Sequence, residues 1–107
     1  MADLGEITIG SEQGGKRPVV VIQNDMGNIH STTTIVMPLS TKVKSLNMPT
    51  HAIIKGGNES GLRSDSILLG EQMRVISNQR IISKLGSIVD EREREAIKRV
   101  YRANFGE

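Results

Sequence analysis

The sequence predicts one domain, spanning residues 1–107, that is mostly β and ends in a helix, an α+β fold built as a small barrel. Three observations predict it. Short apolar and β-branched runs alternate with segments rich in glycine, asparagine and proline, as in strands joined by turns. One amphipathic segment follows at the C-terminus. The chain has 107 residues, enough for one modest core.

The first strand is predicted at Pro18–Ile22, whose sequence PVVVI is apolar and β-branched. The glycine-rich Gly10–Gly15 before it is predicted to be a loop. Gln23–Ser31 after it, with its asparagine, aspartate and glycine, is predicted to be a turn region. A second strand follows at Thr32–Leu39, where Pro38 indicates an edge or a bulge near the strand's end.

Two further strand regions are predicted downstream. Thr50–Ile54 is a short strand, and Lys55–Ser64, with three glycines, is a loop. Ser66–Leu69 and Glu71–Ile76 form either a strand pair or one strand bent at Gly70. For Ile81–Ile88 the pattern leaves strand and short helix both open.

The C-terminal helix has the clearest signals. Asp90 is the expected N-cap, and Glu93 follows at capping-box spacing. Acidic residues come early and basic residues late, as the helix dipole favours, and Gly106 is expected to end the helix. The apolar stripe consists of Ala96, Ile97, Val100 and Tyr101.

The composition excludes several classes of protein and site. There are 14 Lys and Arg against 12 Asp and Glu, and no cysteine, so disulfides and thiolate metal sites are excluded. His30 and His51, the only histidines, lie far apart, and no cofactor or metal is expected. No run approaches the roughly 20 apolar residues that span a bilayer, and no signal peptide is evident, so a cytoplasmic protein is expected.

The aromatic content limits how nucleic acid could be bound. Tyr101 and Phe105 are the only aromatic residues besides the histidines, and both lie at the C-terminal end. Recognition by stacking bases on a sheet requires aromatic faces. A nucleic acid partner would therefore be bound by hydrogen bonds and phosphate contacts.

Two short motifs carry groups that suit a phosphate. In Lys16-Arg17-Pro18 the proline favours an extended Arg17, and the guanidinium presents a planar donor fork. In Leu39-Ser40-Thr41-Lys42 two hydroxyls and an ammonium follow a strand end. Taken locally, the patterns favour a solvated surface arginine and a capped turn over a phosphate site. Glu12, Asp25, Asp65 and Glu71 are scattered, and none forms a carboxylate dyad by spacing.

Four blocks in this order carry a resemblance to a known family: GSEQGGKRPVVVIQND, TIVMPLSTKVK, MPTH and SDSILLGEQMRVI. They closely resemble the MazF/PemK (Kid-type) toxins of bacterial toxin–antitoxin systems, in particular the Gram-positive branch. The resemblance extends from about Gly10 to the final helix.

The resemblance implies both a fold and an activity. The fold is an SH3-like β-barrel of the PemK/CcdB type with a C-terminal helix, and the protein is a homodimer. The activity is sequence-specific, metal-independent endoribonuclease cleavage of single-stranded messenger RNA, with DNA not a substrate and no membrane partner. A cognate antitoxin fills the RNA groove and neutralises the toxin.

By position, the resemblance assigns Arg17 and Ser40 as catalytic residues. It names Gln72 as the residue that reads a base, and it identifies no general base. The residues that the resemblance assigns to substrate binding are Ser11, Gln13, Gly14, Lys16, Thr41, Lys42, Glu71, Gln72 and Arg74.

The chain departs from the family pattern in two places. It begins MADLGE, where the family usually has a longer first strand, so the N-terminal strand is expected to be truncated. Ser40 stands where the family usually has threonine, which keeps the hydroxyl and removes the methyl group that restricts its rotamer.

Two alternatives to an active ribonuclease remain open at this point. One is a non-enzymatic toxin of the same fold that binds a protein target such as gyrase. The other is an inactive remnant that still binds antitoxin, which the short N-terminus would favour. The combination of Arg17, Ser40 and the EQGG loop favours the ribonuclease, because a gyrase-binding toxin has no need of these groups.

Overall fold

The computed structural model describes residues 1–5, 15–22, 32–42 and 48–106. Residues 10–14 of the predicted loop Gly10–Gly15, and the predicted turn region Gln23–Ser31, lie outside the described residues. The described residues contain seven strands and one α-helix: β1 (Ala2–Asp3), β2 (Lys16–Arg17), β3 (Val19–Val21), β4 (Thr33–Ser40), β5 (His51–Ile54), β6 (Ser66–Leu69), β7 (Arg74–Ser77) and α1 (Glu91–Ala103).

The strands form two antiparallel sheets. β1 and β2 make a two-stranded sheet, and the larger sheet has the order β3-β4-β6-β5, with β7 also paired to β4. This confirms the mostly β fold with a C-terminal helix. The predicted closed barrel is not seen in the described part of the chain, where no ladder joins β3 to β5. The chain changes sheet at Pro18, which has no backbone N–H to continue a ladder.

The predicted strand positions agree with β3, β4, β5 and β6, and the predicted loop at Lys55–Ser64 contains no strand. Of the two alternatives at Gly70, the bend is the one observed, because β6 and β7 both pair with β4 and not with each other. The 3₁₀ turn Gly70–Gln72, called the 70–72 turn below, separates them. The segment Ile81–Ile88 is neither strand nor helix, although Ile81 forms a single bridge to Ala2.

The sequence predicted an edge or a bulge at Pro38. Pro38 lies instead in an interior strand, in continuous register with β3. Pro38 is directly opposite Val19, and the neighbouring Leu39 N–H donates to the Pro18 carbonyl at 3.0 Å. Since successive N–H groups alternate between the two edges of a strand, the missing N–H of Pro38 belongs to the other edge. There the pairing with β7 ends at Val36 and the pairing with β6 begins at Leu39, so no ladder bond is lost.

Apolar side chains cover both faces of the larger sheet. On one face the core comprises Val20, Met37, Leu39, Ala52, Ile54, Leu62, Leu68 and Val100. On the other face Val36 and Ile76 pack with Ala2 and Leu4. The N-terminal segment that contains the short strand β1 therefore contributes the buried side chains of Ala2 and Leu4 to the second face, where the sequence predicted a truncated strand.

Helix α1 packs on the first face through Val100, which is fully buried. Its N-cap is Asp90 as predicted: the carboxylate accepts hydrogen bonds from the N–H groups of Arg92 (2.7 Å) and Glu93 (3.3 Å). Glu93 does not complete the predicted capping box; its carboxylate accepts from the Lys55 N–H at 2.7 Å instead. The helix ends at Ala103 with Asn104 as its C-cap, before the Gly106 that was expected to end it. In the described residues no helix is long and apolar enough to cross a membrane.

Candidate functional site

Arg17 lies in β2, directly opposite Ala2 of β1. Pro18 follows and fixes the direction in which the chain enters β3. The Pro18 carbonyl accepts the hydrogen bond from Leu39 of β4, so the main chain beside Arg17 is attached to the central strand. This attachment brings Arg17 to the end of β4, where the second predicted catalytic residue lies.

Ser40 is the last residue of β4 and is directly opposite Ile67 of β6. Its Oγ accepts a hydrogen bond from the N–H of Lys42 at 3.1 Å. This local bond fixes the position of the oxygen at the strand end. A hydroxyl that accepts one bond can still donate its hydrogen to a ligand.

Arg17 and Ser40 line the same cleft, which has a volume of about 350 Å³. The lining residues are Arg17, Pro18, Leu39, Ser40, Thr41, Lys42 and Ser66. The structure therefore brings Arg17 together with Ser40, Thr41 and Lys42, which belong to a second motif that lies far from Arg17 in the sequence. Ser66 was not predicted: it is buried, and its hydroxyl donates to the Ser64 carbonyl at 3.1 Å. Nothing in the local sequence distinguishes Ser66 from other strand serines.

Arg74 is not among the residues lining this cleft, but the strand register places it on the same face of the sheet as Ser40. Arg74 is directly opposite Val36, and directly opposed residues project to the same face. Along β4, residues 36, 38 and 40 share one face because side chains alternate. The same face is covered by β1, the partner of the strand that carries Arg17.

The electrostatic environment of Arg17 agrees with this placement. Partial burial, and then the positive charge of Arg74, lower the pKa of the Arg17 guanidinium below its usual value. An arginine remains protonated at neutral pH. Two guanidinium groups near each other, beside a strand-end hydroxyl, form a site suited to a phosphate group.

The remaining predicted residues lie outside the cleft or outside the described residues. Glu71 and Gln72 belong to the 70–72 turn and do not line the cleft. Lys16 is exposed in β2, next to Arg17. Ser11, Gln13 and Gly14, predicted to contact RNA from the loop, lie outside the described residues.

His51 was predicted to have a packed or hydrogen-bonded role, and the structure confirms it. Its side chain is 4% exposed, and Nε2 lies 2.8 Å from Oε1 of Glu71. No local sequence pattern identifies this partner, since the two residues lie 20 positions apart. Within the described ranges, no group of three His, Cys, Asp or Glu side chains is placed to hold a metal ion.

Comparison with known proteins decides the family. Residues 1–105 match the model of the PemK-like, MazF-like toxins of type II toxin–antitoxin systems. The chain belongs to the PemK/MazF-like toxin family. A curated relative, Endoribonuclease EndoA of Bacillus subtilis (strain 168), is 44% identical over 90 residues, which cover 84% of this chain and 76% of the relative.

Solved structures of PemK/MazF-like toxins have the same fold. An endoribonuclease from a Mycobacterial species, in complex with its cognate antitoxin, superposes with a TM-score of 0.75 at 18% identity, covering 98% of this chain and 87% of that chain. Mycobacterium tuberculosis toxin MazF-mt6 gives a TM-score of 0.72 at 19% identity, covering 84% and 86%. These likenesses agree in fold with the β sheet and C-terminal helix described above.

Proposed function

We propose that this endoribonuclease of the PemK/MazF-like toxin family cleaves single-stranded messenger RNA at a specific short sequence, without a metal ion. The observation that carries the proposal is the convergence of Arg17 and Ser40 in one cleft, with Arg74 on the same face. The two arginines and the hydroxyl supply the donors that a phosphodiester requires in its transition state. Messenger RNA as substrate places the reaction in the cytoplasm.

The proposed reaction is attack by a ribose 2′-oxygen on the adjacent phosphorus. A bond forms from the 2′-oxygen to phosphorus as the 2′-hydroxyl releases its proton to water, and the bond to the 5′-oxygen breaks as that oxygen gains a proton, leaving a 2′,3′-cyclic phosphate and a 5′-hydroxyl. DNA lacks the 2′-hydroxyl and is not a substrate by this route. Negative charge builds up on the phosphoryl oxygens during attack, and protein donors at these oxygens lower the barrier.

In this reaction Arg17 stabilises the charged phosphoryl oxygens and donates a proton toward the leaving 5′-oxygen. Its lowered pKa favours proton donation. Ser40, whose oxygen is fixed by the Lys42 N–H, donates a second hydrogen bond to the phosphate. Lys16, Thr41 and Lys42 bind the RNA backbone beside the reacting group.

Cleavage of a long RNA in EDTA is the direct test. We expect the purified protein to cut single-stranded RNA at full rate in the chelator and to leave cyclic phosphate ends, because the proposed chemistry uses only side-chain donors and proton transfers. Mapping both ends of the fragments checks this result. Activity that EDTA abolishes and magnesium restores would contradict it.

Gln72 is proposed to read a base, and Lys42 to contact the backbone. Gln72→Ala should therefore broaden the set of cut sites by relaxing one base position, at a loss of about 1–3 kcal/mol for the preferred base. Lys42→Ala should weaken cleavage evenly at all sites and flatten its salt dependence. Mapping the cut sites of both variants on one RNA separates these effects; an unchanged motif in Gln72→Ala would assign base reading to other residues.

Two protein partners are proposed. The first is a cognate antitoxin that fills the RNA groove, as expected for a toxin of this family.

The second is another copy of the chain. A groove of about 1060 Å³ runs between β3, the segment 83–88 and α1. Its lining includes Val21, Ile81, Leu85 and Tyr101, which are apolar and exposed, and an apolar surface of this kind favours association.

A homodimer is therefore expected in solution. Light scattering of the purified protein at micromolar concentration should give twice the chain mass, 11.7 kDa for one copy. Leu85→Glu, which places a charge on the exposed apolar wall of the groove, should shift the mass toward that of one chain. A wild-type protein that is a stable monomer at this concentration would contradict the proposed homodimer.

A further inference from the structure

The 70–72 turn is attached to the rest of the fold from three sides. The Gly70 N–H donates to the Thr50 carbonyl at 2.8 Å. The Gly70 carbonyl accepts from the side-chain amide of Asn104 at 2.8 Å. The Glu71 carboxylate meets the imidazole of His51 at 2.8 Å. Of these three attachments, only the His51–Glu71 contact joins the side chain of a turn residue to another side chain.

His51 is itself held firmly. It is the first residue of β5, directly opposite Leu69. Its N–H donates to the Met48 carbonyl at 3.0 Å, and its own carbonyl accepts from Arg99 Nη2 of α1 at 3.2 Å. The imidazole is nearly fully buried, whereas the Glu71 side chain is 35% exposed. The buried histidine is thus the fixed partner, and the more exposed glutamate is the partner that it holds.

Fixing Glu71 also fixes the residues that follow it. Gln72 is the next residue of the same turn, and Arg74 begins β7 two positions later. A hydrogen bond to a base edge weakens steeply when its angle or length departs from the optimum. A side chain that reads a base must therefore be held by rigid neighbours.

We propose that His51 and Glu71 are a positioning pair for RNA recognition: their contact sets the 70–72 turn so that Gln72 meets its base in one orientation. The inference rests on the proposed function of the site, and it adds His51 of β5 to the residues that serve this function. Glu71 acts here through His51 and the turn instead of by touching RNA. Because the proposed RNA substrate is a polyanion, the contact with His51 also keeps the negative charge of Glu71 bonded to the protein.

The test compares His51→Ala with His51→Gln in the full-length protein. Glutamine keeps an N–H donor at the end of the side chain that can reach Glu71, and alanine removes it. Cleavage rates are measured on a preferred RNA site and on its single-base variants, and selectivity is the ratio of these rates. We expect His51→Ala to lower selectivity at one base position about tenfold, and His51→Gln to retain most of it.

A double variant tests whether His51 acts through Gln72. If the pair acts by placing Gln72, then His51→Ala should cause no further loss of selectivity once Gln72 is alanine. Independent, additive losses would overturn the inference. Glu71→Ala gives a second route to the same result if His51→Ala folds poorly, because it removes the acceptor from the other side of the contact and should lower selectivity at the same base position by a similar factor.

A matched core variant separates positioning from general stability. Ile54→Val removes one methylene from a fully buried residue at the other end of β5 from His51. It should leave selectivity unchanged at a melting temperature comparable to that of His51→Ala. Relaxed selectivity in Ile54→Val would show that any loss of stability has this effect and would overturn the inference. Unchanged selectivity in His51→Ala, with an active wild type, would overturn the inference alone. A wild type that does not cut RNA would overturn the proposed function as well.

Discussion

Arg17→Ala is expected to lower the rate of RNA cleavage at least about a hundredfold. The guanidinium is a charged donor at the cleft, and losing a charged donor to the transition state costs on the order of 3 kcal/mol. Alanine also removes the group proposed to protonate the leaving oxygen. Single-turnover cleavage of a labelled oligonucleotide that contains one preferred site measures the chemical step directly.

Three variants serve as controls for Arg17→Ala. Arg17→Lys keeps the charge but loses the planar fork, so part of the activity should remain. Ser40→Ala should slow cleavage less than Arg17→Ala, because a neutral donor is lost. Ser40→Thr restores the residue usual in the family and should keep activity. A wild-type cleavage rate in Arg17→Ala would show that the phosphate is bound elsewhere. An inactive Ser40→Thr variant would show that the natural serine has another role.

The sequence predicted the strands that carry the site because local patterns determine them. The β-branched run after Pro18 and the one before Ser40 became β3 and β4. Ser40 is the last residue of β4, and Arg17 lies in β2, just before β3 begins. That the two ends meet follows from antiparallel pairing, with Leu39 bonded to Pro18. The resemblance to the family supplied the roles of these residues, which the local motifs alone left open.

What the sequence did not predict depends on pairing register and on distant contacts. Pro38 can occupy an interior strand because its missing N–H falls in the gap between the ladder of β4 with β7 and the ladder of β4 with β6. No local sequence pattern indicates where such a gap lies. The His51–Glu71 contact joins residues on different elements. Glu93 matched the spacing of a capping box, but the Lys55 N–H lies close to its carboxylate in the fold. In each case tertiary packing selected one of several locally acceptable partners.

Gly61→Ala is expected to destabilise the fold by about 2–5 kcal/mol. Gly61 has a φ of +74°, a conformation that costs an L-residue with a side chain roughly 1–2 kcal/mol. A Cβ at this position would also lie 2.0 Å from the carbonyl oxygen of Leu85, and relieving an overpacked contact typically costs about 1–3 kcal/mol more. Urea unfolding of wild type and variant, compared at equal protein concentration, measures the difference.

Gly106→Ala is the matched control, because it isolates the backbone conformation from the contact. Gly106 has nearly the same φ, +75°, but a Cβ there has no neighbour within 4 Å. Its substitution should cost no more than the conformational part, roughly 1–2 kcal/mol. Equal losses in the two variants would show that the loop moves away from Leu85 without cost.

The backbone segments 59–61 and 85–87 approach each other closely, and Gly61 lies in the first of them. On the other side, a Cβ at Gly86 would lie 2.2 Å from the Glu59 carbonyl oxygen, and the Ser87 N–H donates to that same oxygen at 2.8 Å. Gly61→Ala should therefore also displace the segment 83–88, which lines the apolar groove proposed to bind a second copy. Hydrogen exchange at Ser87 should accelerate in Gly61→Ala and stay unchanged in Gly106→Ala, since only the former substitution separates Ser87 from its acceptor.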